Sequence, residues 1–220
     1  VSNKQLANIP SFQYFFVMTR VEINPDNPQL RRIKQAVEVL NDGGLIIYPT
    51  DTVYGLGCNL FNKKGVERIY QIKGNDKRKL LSFICPNLTE IAKYAHVSTP
   101  SYKFMRRLTP GPYTFILEAS RLVPKILLEK RKTVGIRIPG NTTCQTLLME
   151  FGHPIISTSA CLANQDYLQD PFDIADTFAH SVDFFLDSGF GGLQPSTIVD
   201  LSNETPEVIR MGKGEIEFVK

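Results

Sequence analysis

The chain is poor in the residues that would place its chemistry on a metal or on a thiol framework. Its three histidines, His96, His153 and His180, lack metal-ligand spacing, so no zinc site is assigned. The four cysteines, Cys58, Cys85, Cys144 and Cys161, include no CxxC pair and read as reduced thiols rather than a disulfide set, which favours a cytoplasmic setting. No apolar run approaches the roughly 18 to 20 residues that would span a bilayer, so no membrane partner is expected. Val1 to Val17 lacks a basic start, an apolar core and a small-residue cleavage site in succession, which argues against a secretory signal. There is no internal repeat or low-complexity tract. A length of 220 residues suffices for one well-buried core, and one domain is expected.

The formal net charge of +3 is too small to mark a nucleic-acid binder, but the charge is unevenly placed. Lys63, Lys64, Arg68, Lys73, Lys77, Arg78 and Lys79 face only Glu67 and Asp76, and a second basic cluster runs from Lys125 to Arg137. If both face one cavity they would attract polyphosphate or RNA; otherwise they are a solvated helix face and loop. The most informative stretch is Tyr48-Pro49-Thr50-Asp51-Thr52-Val53-Tyr54-Gly55-Leu56-Gly57-Cys58, which interrupts the apolar run Leu45-Ile46-Ile47. It reads as a strand entering a site loop. Pro49 removes a ladder donor, Gly55 and Gly57 permit unusual backbone conformations, and the hydroxyls and carboxylate between them could grip a polar ligand.

Around that stretch helices and strands interleave. Asn27-Pro28 predicts a helix start, with Ile33, Ala36, Val37 and Leu40 on one face and Gly43-Gly44 as the stop. A second helix is predicted over 63–73, where Gly74 ends it and leaves Lys73 at a loop edge rather than on a buried face. Further helices are expected to start at Thr99-Pro100, Asn141 and Asp170-Pro171, and strands over 45–48, 80–85, 113–118, 133–138, 154–157, 184–186, 197–201 and 207–211. This pattern predicts an α/β fold with a mixed sheet and flanking helices.

The Tyr48–Cys58 string resembles the YPTDTVYGLG signature of the YrdC/YciO family, the threonylcarbamoyl-AMP synthase-like proteins. Further matches follow in order: Lys73-Gly74, Pro110 to Thr114, Thr133 to Pro139, Pro154 to Ala160, Pro195 to Asp200 and Val208 to Gly212. The resemblance is closest to the YciO branch and runs from about residue 21 to the C-terminus. It implies a YrdC-like twisted open mixed sheet with a large basic cavity, one domain over 21–220, and an N-terminal extension or leader over 1–20. It also implies a reaction of ATP, L-threonine and bicarbonate, with Mg²⁺ carried in on ATP, giving threonylcarbamoyl-AMP for modification of a tRNA adenosine. No serine-histidine triad is needed, because the carboxylated threonine nitrogen supplies its own nucleophile.

Carried over residue by residue, the resemblance assigns Thr52, Ser157 and Ser196 to the amino-acid end and Arg137 to the threonine carboxylate. Lys73, Asn75, Lys79, Thr133, Ser159 and Arg210 go to the nucleotide, and Lys73, Arg137 and Ser159 to the catalytic step. Arg137 and Arg210 can bind carboxylate or phosphate bidentately, Lys73 is a point charge, and the hydroxyls donate at little steric cost. Thr133, Ser157 and Ser196 could each instead satisfy a strand end. An arginine inside Val134-Gly135-Ile136-Arg137-Ile138 requires a partner. Family synthases surround the triphosphate with a Lys-x-Arg and a Ser-x-Asn pair, whereas this chain reads Lys73-Gly74-Asn75 and Ser159-Ala160-Cys161. The missing charge-assisted contact is worth about 1.5 to 3 kcal/mol. Lys77, Arg78 or Lys79 could compensate. A strand histidine of the family is replaced by Ile84, and the Ser-Gly that normally follows Ser-Ala-Asn is missing from Cys161-Leu162-Ala163-Asn164. The reading is therefore a synthase that is weak or retuned; the alternative is a tRNA- or double-stranded-RNA-binding protein of the same fold.

Overall fold

The computed structural model describes residues 17–75, 81–128, 132–203 and 205–216. In chain order the elements are β1 (Thr19–Glu22), α1 (Leu30–Asn41), β2 (Leu45–Tyr48), β3 (Gly55–Asn59), α2 (Lys63–Ile72), β4 (Ser82–Ile84), α3 (Leu88–Tyr94), β5 (Ala95–His96) and α4 (Thr99–Leu108). They continue as β6 (Tyr113–Ala119), α5 (Lys125–Leu128), β7 (Thr133–Arg137), α6 (Thr142–Phe151), β8 (Ile155–Ser159), α7 (Pro171–Phe178), β9 (Phe184–Asp187), β10 (Thr197–Asp200) and β11 (Glu207–Arg210). The strands form one open mixed sheet in the order β1-β9-β2-β3-β8-β4-β7-β6-β10-β11, with β5 added beside β6.

Period-two alternation sends successive side chains of each strand to opposite faces, and the two faces differ. Leu45, Ile47, Leu56, Cys58, Phe83, Phe115, Leu117, Val134, Ile136 and Ile156 point to one face, where Val66 and Ile69 of α2, Ile91 of α3, Met105 of α4 and Ile174 and Phe178 of α7 cover them. The other face receives α1 and α6 only over part of its width: Ile33, Ala36 and Leu40 with Cys144, Leu147 and Leu148 pack on Ile46, Tyr48, Ile84, Ile155, Phe184 and Leu186. No described helix packs over the remainder of that face.

Helix caps follow from local side chains. The Asn62, Asn87, Ser98, Asn141 and Asp170 side chains accept backbone N–H groups at the starts of α2, α3, α4, α6 and α7. The predicted start of α1 shifts: Asn24 accepts the N–H groups of Asp26 and Asn27, which holds that segment as a turn, and Gln29 becomes the cap residue. The sheet also takes in Thr19 and Arg20, and Met18 is buried in the larger apolar cluster.

Gly55 to Cys58, the last part of the predicted loop, is strand β3, paired antiparallel to β2 with Tyr48 opposite Gly55. Its glycines serve close packing rather than unusual backbone angles. A Cβ on Gly55 would lie 2.8 Å from the Tyr48 ring, and one on Gly57 would lie 2.6 Å from Ile155 Cγ2 and 2.9 Å from the Ile156 carbonyl. No described helix is long and apolar enough to cross a membrane.

Candidate active site

The uncovered part of the sheet face is a cleft of about 140 Å³. Its floor is built strand by strand from residues that alternation turns away from the helices on the far side. These are Gly55 of β3, Ser157 and Ser159 of β8, Ser82 and Ile84 of β4, Gly135 and Arg137 of β7, Thr114 and Ile116 of β6, and Ile198 of β10. Thr50, Thr52, Val53 and Tyr54 form one wall, and Tyr167, Pro195, Ser196 and Arg210 form others. Among the described residues, the two charged ones lining it are both arginines.

Arg137 ends β7 with only 7% of its surface exposed. Its partner is Asp51 of the β2–β3 loop, whose Oδ1 accepts from Arg137 Nη2. Asp51 Oδ2 and Arg137 Nε are buried without a hydrogen-bond partner, so the pair retains capacity for further polar contacts. The loop carrying Asp51 is held at several points. Thr50 Oγ1 donates to Val53 O at 2.6 Å and accepts from Thr52 N at 3.0 Å, while Tyr54 OH donates to Gly189 O at 2.7 Å. Gly192 N donates to Thr52 O at 3.0 Å, an approach a Cβ on Gly192 would block at 2.2 Å. From the C-terminal segment, Lys213 Nζ donates to Asp51 O at 2.7 Å.

Six of the sequence-predicted site residues meet at this cleft: Thr52, Arg137, Ser157, Ser159, Ser196 and Arg210. Thr52 shares a 3.1 Å hydrogen bond with Thr50, and Ser196 one of 2.8 Å with Thr114 of β6. Arg210 Nη2 donates to Ser196 O at 2.8 Å, and the residue as a whole is exposed. Ser157 Oγ accepts a 2.6 Å hydrogen bond from Tyr48 OH. Burial pushes the Tyr48 phenol and the Cys144 thiol well up, with Arg137 opposing the shift in both.

Three predicted residues lie apart from the cleft, and Lys79 lies outside the described residues. Lys73 is a correction in one respect: it stands at the C-terminal cap of α2 beside the turn, as expected, but it is buried, only 5% exposed. Its Nζ donates to Cys161 O at 2.7 Å, Cys161 Sγ at 3.1 Å and Ser159 O at 3.3 Å, beneath the turn that follows β8. A buried ammonium needs acceptors, and that turn supplies them through the Ser159 and Cys161 carbonyls and the Cys161 sulfur. Asn75 is exposed, in the left-handed region at φ 58° after Gly74 at φ 77°. Thr133 opens β7 opposite Glu118, on the same face as Gly135 and Arg137 but at the far end of the strand. Sequence reasoning missed the roles of Tyr48 and Asp51 as partners of Ser157 and Arg137. A carboxylate in the signature stretch and an arginine in an apolar strand were the available signals for the second pair.

Comparison with known proteins places this geometry in a family. The Sua5/YciO/YrdC family model, described as telomere recombination, matches residues 38–212. The chain is similar to the uncharacterized protein YciO of Escherichia coli (strain K12), at 42% identity over 89% of this chain and 96% of that one. The crystal structure of E. coli YciO superposes with a TM-score of 0.87 at 41% identity, covering 90% of this chain and 97% of that one. A threonylcarbamoyl-AMP synthase of Pseudoalteromonas translucida is 33% identical over 78% of this chain and 94% of its own length. The structure of P. abyssi Sua5 complexed with L-threonine has a TM-score of 0.81 at 26% identity, covering 89% of this chain and 57% of that one.

Proposed function

The chain belongs to the Sua5/YciO/YrdC family, and from that premise we propose that it is a threonylcarbamoyl-AMP synthase-like nucleotidyltransferase, using ATP, L-threonine and bicarbonate for tRNA modification, with an altered nucleotide end. The observation that supports this reading best is the convergence of Arg137, Thr52, Ser157, Ser196, Ser159 and Arg210 on one cleft. The site offers cations and hydroxyl donors, which suits a reaction of positioning and charge neutralisation.

In this reading Arg137 holds the threonine carboxylate, with Asp51 fixing the guanidinium from behind, and Thr52, Ser157 and Ser196 donate to the amino-acid end. The threonine nitrogen, carboxylated by bicarbonate with loss of water, becomes a carbamate. One carbamate oxygen attacks the α-phosphorus of ATP; that O–P bond forms as the bond from the α-phosphorus to the bridging oxygen breaks, and pyrophosphate leaves. Ser159 and Arg210 meet the nucleotide. Lys73 joins them only by leaving its acceptors on Ser159 and Cys161, which is a physical reason for weak activity. Mg²⁺ would arrive on the ATP phosphates and neutralise their charge there.

Incubation of the purified protein with labelled ATP, L-threonine and bicarbonate tests this directly. Threonine-dependent release of pyrophosphate together with an adenylate product is expected. No adenylate, with RNA binding that weakens steeply with salt, would replace the synthase reading with the RNA-binding one.

A further inference from the structure

Tyr48 is a fully buried phenol whose hydroxyl acts at a distance from its own strand. It ends β2, yet its OH reaches Ser157 on β8, two strands away, at 2.6 Å. It does so across β3. Cβ atoms on Gly55 and Gly57 would come within 2.8 Å and 3.1 Å of its ring, so the two glycines form a channel over which the ring lies. The arrangement is costly in sequence terms, since two strand positions give up side chains for one hydrogen bond.

The consequence falls on Ser157. A hydroxyl has one hydrogen to give and accepts through its lone pairs. Ser157 accepts from Tyr48, and among the described residues its own hydrogen has only long backbone acceptors, Leu56 O at 3.3 Å and Thr158 O at 3.4 Å. Hydroxyl donors prefer about 2.7 to 2.8 Å. An anionic oxygen entering the cleft would take that hydrogen at normal length, with Arg137 in the same cleft supplying charge. Burial keeps the phenol protonated, so the direction of the relay does not reverse.

We propose that Tyr48 is a positioning residue that makes Ser157 a dedicated hydrogen-bond donor to an anionic oxygen, carboxylate or carbamate, of the ligand in the cleft. That the ligand is an amino acid rests on the proposed function; the relay itself does not. The test uses the full chain, its Tyr48→Phe and Ser157→Ala variants and the double variant, titrated with L-threonine and separately with acetate and followed by amide NMR shifts. Either single variant is expected to weaken both ligands about tenfold, the loss of one charge-assisted hydrogen bond. Tyr48→Phe should add nothing in the Ser157→Ala background, a coupling that a purely structural tyrosine would not produce. Ser157→Ala leaves the ring in place and keeps the test open should Tyr48→Phe fold poorly: its affinities must then fall as stated. Wild-type affinity in Ser157→Ala, additive losses in the double variant, or a parent protein that takes up neither ligand would overturn the relay. A parent that binds acetate but not L-threonine, with the same coupling, would retain it and remove the amino-acid reading.

Discussion

One face of the sheet has two unlike halves, and the border between them runs through single strands. On β8, Ile155 lies under α1 and α6 while Ser157 and Ser159 on the same face line the open cleft. On β4, Ser82 lines the cleft, and Ile84, two residues on, belongs both to the helix-covered cluster and to the cleft floor. Where helices cover the face, alternation brings leucine, isoleucine and the aromatic rings of Tyr48 and Phe184; where none does, the same alternation brings mainly serine, threonine, glycine and one arginine, with Ile116 and Ile198 among them. The contrast teaches that the cleft is a stretch of sheet left bare, furnished with side chains small enough to leave room and polar enough to tolerate water.

Arg137→Ala should break the comparison most severely. It removes the buried charge of the bare half and strands Asp51, whose side chain is only 13% exposed. Loss of about 3 to 5 kcal/mol of stability is expected, the usual cost of breaking a buried pair from one side, together with loss of ligand binding. Chemical denaturation of this variant beside Asp51→Ala/Arg137→Ala checks it: the double variant should recover stability but not binding.

Moving the border by one residue comes next. Ile155→Ser would carry the chemistry of the cleft under α1 and α6, where Ile155 is fully buried. The lost apolar packing and the cavity should cost about 2 to 5 kcal/mol, read as a lower denaturation midpoint. A cost below about 1 kcal/mol would show that the covering helices tolerate polar contacts as the bare half does.

Alkaline pH sharpens the comparison by acting on covered groups. Burial pushes the Cys58 thiol from its ordinary 9.0 up to about 12, and raises Cys85 and Cys144 as well. These groups remain protonated in the fold after they ionise in the unfolded chain. Their stabilisation is thus full below about pH 9 and lost as pH rises above it, by up to about 1.4 kcal/mol per pH unit per thiol. Denaturation midpoints between pH 8 and 11 measure this, and Cys58→Ala should flatten the slope.

The smallest effect belongs to the nucleotide end. Asn75→Arg would add the charge that family synthases carry, but at φ 58° arginine is less at ease than asparagine. A stability loss of about 1 kcal/mol is expected, enough to offset part of any gain in adenylate formation, which the same pyrophosphate assay would report with Cys161→Asn added.

Much of this was legible in the order of residues. Asn141 and Asp170-Pro171 predicted the starts of α6 and α7, Thr99-Pro100 that of α4 and apolar periodicity over 63–73 that of α2, while alternation at 113–118 and 133–138 predicted β6 and β7. Strand β3 was not legible, because Gly55 and Gly57 suggest a loop until the Tyr48 ring is seen against them. Strand β1 was missed because four residues that pair only with β9, over 160 positions away, leave no local signal. The α3 helix, seven residues long, is too short for a clear period.

The sequence by itself determined the family, the mixed α/β class and the need for a partner at Arg137, since those depend on residue type, local order and the cost of burying a charge. Tertiary structure alone decided that the partner is Asp51, that Tyr48 reaches Ser157, and that Lys73 lies beneath the Ser159–Cys161 turn instead of in the cleft. These are contacts between residues 86 or more positions apart. No local propensity encodes such pairs; the strand order creates them by bringing β2, β3, β8 and β7 within side-chain reach.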